Sequence, residues 1–183
     1  MYVGEAHKKM EIDIDEIFKT DIEISNLLVE ILRVANAGWA IIWQFHNGGM
    51  TMNGFPFLRI SATHEQTRVT QEHIAHLYQS LPTSLLIDGT GNCDINKLQS
   101  ETLCVGAANN SAIKGIMTAH GMSAVHLCAL RNSKGSLVGF LSVCYVDKEN
   151  LTPEDCSILE DYAERAQILL DIMDRVTSLT ERM

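Results

Sequence analysis

The sequence predicts an α+β fold: a central antiparallel sheet of five to six strands, with a helix from each end of the chain on one face. Three observations predict it. The periodic segments run helix, strand, strand, helix and loop, short strand, helix, strand, strand, helix. The clearest strands come in consecutive pairs, which implies hairpins and antiparallel pairing. The chain also begins and ends in amphipathic helices, each with an apolar stripe that needs a surface to cover.

The first helix spans 11–36, where Ile24, Leu27, Leu28, Ile31, Leu32 and Ala35 recur on one helical face. Asn36 and Gly38 supply its stop. A break is expected near Lys19-Thr20-Asp21, with Thr20 or Asp21 capping a second piece. WAIIWQFHN, Trp39 to Asn47, is β-branched, aromatic and nearly all apolar, as a central strand covered on both faces would be. Leu58 to Thr67 alternates as the next strand. Residues 70–81 are predicted helical, with Ile74, Leu77, Tyr78 and Leu81 on one side. Ser84 to Gly89 reads as an edge strand, and 90–108 as loop with a helical turn near Asp94 to Leu98. Ser111 to His120 is a short helix closed by Gly121.

MSAVHLCALRN and SLVGFLSVCYV are strands joined through Asn132-Ser133-Lys134-Gly135, a type I turn with a glycine bulge. The last helix, 152–180, opens with Thr152 as cap, Pro153 at the first helical position and Asp155 closing a capping box. Leu159, Tyr162, Ala166, Leu169, Met173 and Val176 then form a heptad seam. A dimer contact and a helix resting on its own core both satisfy that pattern. Without a linker or repeat, 1–183 reads as one domain, its sheet and pocket occupying 39–150.

Composition limits the function. Hydrophobic residues make up 46% of the chain, enough for a full core. The formal charge is −9 and the basic residues do not cluster, so no direct nucleic-acid contact is expected. There is no apolar run of membrane-spanning length and no signal-peptide core, and a cytoplasmic location follows as the expectation. Cys93, Cys104, Cys128, Cys144 and Cys156 form no CxxC pair and read as reduced thiols. His73 and His76 with Glu72 lack the partners of a metal motif and read as a solvated helix face. No metal or catalytic set stands out, and no cofactor is named.

The leading helix into WAIIWQFHN, the cassette SAIKGIMTAHG followed by MSAVHLCALRNSKGSLVGFLSVCYVDKEN, and the entry LTPEDCSILEDYAERAQILL together resemble a GAF domain over nearly the whole chain. The resemblance implies terminal helices on one sheet face, and loops and short helices closing a pocket on the other. It also implies a small-molecule effector and a homodimer through the terminal helices. The Asn-Lys-x-Phe-Asp-Glu pattern of the phosphodiesterase branch is absent, and no cysteine stands in an evident bilin-attachment context.

Pairing Asn132 with Ser136 and continuing the ladder sets His126 opposite Ser142, Cys128 opposite Phe140 and Ala124 opposite Cys144. Opposed residues share a face. One face then carries those six side chains, and Val125, Leu127, Leu141, Val143 and Tyr145 form the other, apolar one. The mixed face suits a cavity with a few orienting groups. Gln44 and His46 share a face of the first strand and are assigned to the same cavity, with the glycine-bearing 47–57 segment as its roof. Asn47, Phe55 and Phe57 from that segment, His64 on the next strand, and His126, Cys128 and Ser142 complete the candidate ligand site. His46 and His126 also admit a plain reading as core histidines satisfied by carbonyls. Arg59 and Arg68 are candidates for an anionic group or a solvated rim.

The function expected is a non-catalytic, small-molecule-binding sensor or regulatory domain, signalling through its terminal helices or a dimer. The alternatives are a free methionine sulfoxide reductase using loop cysteines Cys93 or Cys104, and a ligand-free interaction module.

Overall fold

The computed structural model describes residues 3–50, 56–86, 100–104, 111–148 and 151–180. The first helix, α1 (Val3–Ala35), leads into β1 (Trp39–Met50) and β2 (Pro56–Thr67). A two-residue β3 (Leu81–Pro82), β4 (Ser100–Cys104), α2 (Ser111–Ala119), β5 (Ala124–Arg131), β6 (Leu137–Tyr145) and α3 (Pro153–Thr180) follow. The strands form one six-stranded sheet in the order β3-β2-β1-β6-β5-β4, with every neighbouring pair antiparallel. No described helix is long and apolar enough to cross a membrane.

α1 buries the face read from its periodicity, with Ile24, Leu28 and Ile31 wholly inaccessible. It ends where Asn36 takes a left-handed φ of 55°. The Ala37 N–H then returns to the Leu32 carbonyl at 3.2 Å, closing the last turn as a Schellman motif. The expected break at Thr20 is absent. The Thr20 hydroxyl donates to the Glu16 carbonyl one turn back at 2.8 Å, so it bonds within the helix instead of capping a new one.

α3 begins as expected. Thr152 Oγ1 accepts the Asp155 N–H at 3.1 Å, and Asp155 Oδ2 accepts the Thr152 N–H at 2.9 Å. The Thr152 bonds and Lys148, 2.9 Å away, hold the Asp155 carboxyl down at about 2. Its seam rests on the domain's own core: Leu159, Tyr162, Ala166 and Val176 are buried, and Leu169 and Met173 pack against them.

The sheet divides two apolar layers. On one face, α1 and α3 pack on Ala40, Ile42, Ala124, Cys128, Leu141, Val143 and Tyr145. On the other, Trp39, Ile41, Ala62, Val125 and Cys144 meet Ile74 and the α2 residue Met117. β1 is therefore the doubly covered strand its composition predicted.

Three expected elements differ. Residues 70–81 are not an α-helix but an irregular stretch with one 3-10 turn at Ala75–Leu77. The Glu65 carboxylate of β2 accepts the N–H groups of Ile74 and Ala75, and Gln79 donates to the Ala62 carbonyl at 2.7 Å. Bonds to β2 thus replace helical ones. Of the expected edge strand at 84–89, residues 84–86 lie in a 3-10 turn, Thr83–Leu86, and 87–89 lie outside the described residues; the edge strand seen is β3, against Arg59 and Ile60. Pro82 is tolerated there because β3 lies at the sheet edge. Within the expected loop at 90–108, Ser100–Cys104 is a strand created by pairing with β5; the turn near Asp94 to Leu98 lies outside the described residues.

Candidate functional site

A cavity of about 120 Å³ lies between the sheet and α2. Ile41, Trp43, Val125, Leu127, Phe140, Ser142 and Cys144 of the sheet form its floor. Ile113, Ile116 and Met117, at the spacing of one helical face, form the opposite wall. Ile60, Ile74 and Leu81 close one side.

Helix α2 is held in place at its C-terminal end. Gly121 adopts a φ of 65°, and the Met122 N–H reaches the Met117 carbonyl at 2.8 Å, again the Schellman geometry. The Tyr78 hydroxyl lies 2.6 Å from His120 Nε2, linking the segment before β3 to the end of α2. The Tyr78 ring in turn lies 6.0 Å from that of Trp43.

Ser142 is the one hydroxylic residue among the described lining residues. Its Oγ accepts the Trp43 indole N–H at 2.8 Å and lies 3.4 Å from the Ile41 carbonyl. The bond orients the indole and occupies the hydroxyl. Cys144 is the cysteine of this wall, and burial pushes its thiol up to about 12. A thiol so placed stays protonated and packs as a small apolar group.

Of the candidate ligand residues whose side chains are described, only Ser142 lines this cavity. The reason is a register shift in the closing hairpin. The tip is as expected: Asn132 N–H bonds the Ser136 carbonyl at 3.0 Å, Gly135 has φ 77°, and Arg131 pairs with Leu137. Val138 is then an extra residue, and from Leu130 opposite Gly139 onward the ladder is displaced by one. His126 faces Val143, Cys128 faces Leu141 and Ala124 faces Tyr145. One displaced residue exchanges the faces of a strand. His126 and Cys128 accordingly lie beneath the terminal helices, whereas Phe140, Ser142 and Cys144 stay on the cavity side with Val125 and Leu127.

His126 is 1% exposed, with Nδ1 3.9 Å from Cys156 Sγ on α3. Burial holds its pKa below the usual range, opposed by Glu160. Burial also pushes the Cys128 thiol up to about 12.

β1 differs in the same sense. Ile41 and Trp43 face the cavity, so Gln44 falls on the opposite face, opposite Gly139 and Ser61. His46 Nε2 lies 2.8 Å from Ser61 Oγ. His64, opposite Ile42, reaches α1 instead, with Nε2 3.0 Å from Asp21 Oδ1. Asn47 is exposed and pairs with Leu58. The described parts of the 47–57 roof are strand, since β1 runs to Met50 and β2 starts at Pro56; residues 51–55 lie outside the described residues. Phe55 lies outside the described residues, and Phe57 is described only as part of β2. Arg59 donates to the Ser80 carbonyl and Arg68 to the Asn36 side chain. Cys93 lies outside the described residues, and Cys104 ends β4 opposite Ala124. His73 Nδ1 lies 3.0 Å from Glu65 Oε2.

The residues that sequence reasoning missed are the apolar ones. Ile113, Ile116 and Met117 read as the buried face of a short helix, and nothing in their order distinguishes a cavity wall from solid core.

No family model matches the chain, and no curated protein matches it. Solved structures do. The GAF domain of PixJ from Thermosynechococcus elongatus, in its blue-light absorbing form, superimposes with a TM-score of 0.66 at 8% identity, covering 92% of this chain and 94% of that one. The chain has a GAF fold. The phycocyanobilin-bound GAF domain of a cyanobacterial phytochrome gives 0.66 at 10% identity, covering 91% and 94%. The chromophore-binding domain of the bacteriophytochrome RpBphP3 from R. palustris also gives 0.66, at 11% identity, covering 97% of this chain and 64% of that one. In this GAF fold the cavity occupies the sheet face away from α1 and α3. His126 and Cys128 of β5 lie on the helical side.

Proposed function

We propose that this GAF-fold chain is a non-catalytic sensor or regulatory module. A small molecule occupies the cavity between the sheet and α2, and its arrival is reported to the terminal helices. One observation carries this reading: the cavity and the helical layer share the same strands. Val125 and Leu127 point into the cavity, while His126 and Cys128, alternating with them on β5, lie under the helical layer. A shift of β5 of a few tenths of an ångström on ligand entry is passed to α3 because packed interiors transmit strain. The bilin of the phytochrome neighbour is not the ligand this cavity favours. Among its described residues, the one hydroxyl is engaged by Trp43, and the one cysteine is held as a neutral thiol.

The test is a thermal-shift screen of small molecules, followed by hydrogen exchange with any hit. Stabilisation accompanied by changed protection in α3 is the expected result. A library without a hit, or a hit that leaves α3 unchanged, refutes the reading.

The same reading includes a homodimer of a cytoplasmic protein, with α1 in place of the α3 seam as its contact. Ile14, Phe18, Ile22 and Val29 recur along one exposed side of α1, with Phe18 64% and Ile22 60% exposed. Sedimentation of the wild type and Phe18→Glu tests this. A wild-type monomer at high concentration removes the dimer.

A further inference from the structure

We propose that the cavity takes an uncharged, hydrogen-bond-poor molecule about the size of one aromatic ring. The inference rests on the reading of the cavity as the ligand site and adds the ligand's chemical class.

The wall chemistry sets the class. Apart from Ser142, the described lining consists of aliphatic, aromatic and sulfur-bearing side chains. Among the described lining residues there is no lysine, arginine, histidine or carboxylate. A charged ligand would give up its hydration without gaining a counter-ion. A polar, uncharged ligand fares little better, because the Ser142 oxygen already accepts the Trp43 N–H and sits within reach of the Ile41 carbonyl. One lone pair of that oxygen is left for a ligand donor, so a ligand with several polar groups would bury most of them unpaired against the described lining side chains.

The size of the cavity limits the ligand. Its volume is about 120 Å³, and an apolar protein cavity of about 150 Å³ stays dry and admits benzene. The walls suit a ring. Trp43 is fixed in orientation, and Phe140 is held edge-on by Phe45 at 5.5 Å between centroids. Met117 and Met122 line the space and adapt their shape to the occupant.

The probes are toluene as the apolar ring, benzoate as its charged counterpart, and adenosine monophosphate as a larger polar one. Each is added to the full chain while thermal unfolding and the methyl signals of Met117 and Met122 are followed by NMR. Toluene is expected to raise the melting temperature saturably and to shift both methyls. Benzoate and the nucleotide are expected to bind at least about ten-fold more weakly. Ala112→Phe, which fills the cavity from α2, is expected to abolish the toluene response. Leu127→Trp fills it from the sheet and serves if the first variant does not fold. Benzoate or the nucleotide shifting these methyls more strongly than toluene overturns the ligand class and leaves the sensor reading standing. If no probe shifts them, or if toluene stabilises both filled variants as it does the wild type, the class and the site both fall.

Discussion

Gly139→Ala tests the sheet geometry on which the site depends. Gly139 lies in β6, opposite Gln44 on one side and Leu130 on the other. A methyl group there would sit 1.9 Å from the Trp43 carbonyl oxygen, 3.0 Å from its carbon and 3.1 Å from Gln44 Cα. All three are backbone atoms, so no side-chain rotation relieves the clash. A carbon–oxygen contact is comfortable at about 3.3 Å or more. The two central strands must therefore part locally by roughly 1.4 Å, the gap between that contact and the 1.9 Å approach. Such a separation breaks hydrogen bonds that close near 3 Å. Losing one or two ladder bonds costs about 1 kcal/mol each, and overpacking costs about 1–3 kcal/mol. The sum, about 2–5 kcal/mol, is a large fraction of a typical domain's stability of about 5–15 kcal/mol and extends beyond the usual effect of a substitution. Urea unfolding followed by the fluorescence of Trp39 and Trp43 measures it, and the melting temperature should fall by about 4–20 °C. Gly115→Ala is the control: Gly115 is exposed on α2 with nothing within 4 Å of an added methyl, so it should stabilise by about 0.5–1 kcal/mol. A Gly139→Ala protein within about 1 kcal/mol of wild type, below the usual range for overpacking, would refute the close approach and the register that follows from it.

Ser142→Ala removes the partner of the half-buried Trp43 N–H and should cost about 1–3 kcal/mol, with a shift in tryptophan emission. Thr152→Ala deletes the α3 cap and should cost about 1 kcal/mol in urea unfolding. Asp155 binds its proton less readily when folded, so its contribution is present above 3.8 and lost as pH falls toward about 2; Asp155→Asn should flatten that acid limb. His126 and His64 are both held below their ordinary 6.5, chiefly by burial. The unfolded chain then binds more protons just below 6.5, so stability should be full above that value and fall as pH drops through the folded pKa values. A His126→Gln variant should show a shallower fall in melting temperature between pH 7 and 5, and an unchanged slope would remove His126 as a cause.

Much of the fold was legible because local chemistry and tertiary packing agree. The Asn36 stop, the Gly121 stop, the Thr152–Asp155 box and the Asn132–Gly135 turn all occur where their residues placed them. The failures fall where a partner distant in sequence supplies the bonds. Glu65 captures the N–H groups of Ile74 and Ala75, and a helical pattern yields to one turn. Residues 100–104 carry too short an alternation to declare a strand, and β5 makes them one. The α3 heptads were ambiguous in kind, since a seam that packs on its own core and one that packs on a partner require the same spacing.

The candidate site failed for a narrower reason. The hairpin turn was correct, and one extra residue at Val138 undid the inference drawn from it. The signal was in the sequence: a glycine inside a strand, Gly139, marks a bulge or a close backbone approach, and here it stands beside the first and makes the second. The displacement left Ser142 over the cavity and carried His126 to the helices, separating two residues that had been read as one constellation. A second assumption then misdirected β1, namely that polar side chains mark the ligand face. Gln44, His46 and His64 all lie on the face away from the cavity, which is walled by Ile41, Trp43 and Phe140. A pocket for an ion needs polar strands and can be found by them. A pocket for an apolar ring uses the residues of ordinary core, so only the distance between its walls reveals it.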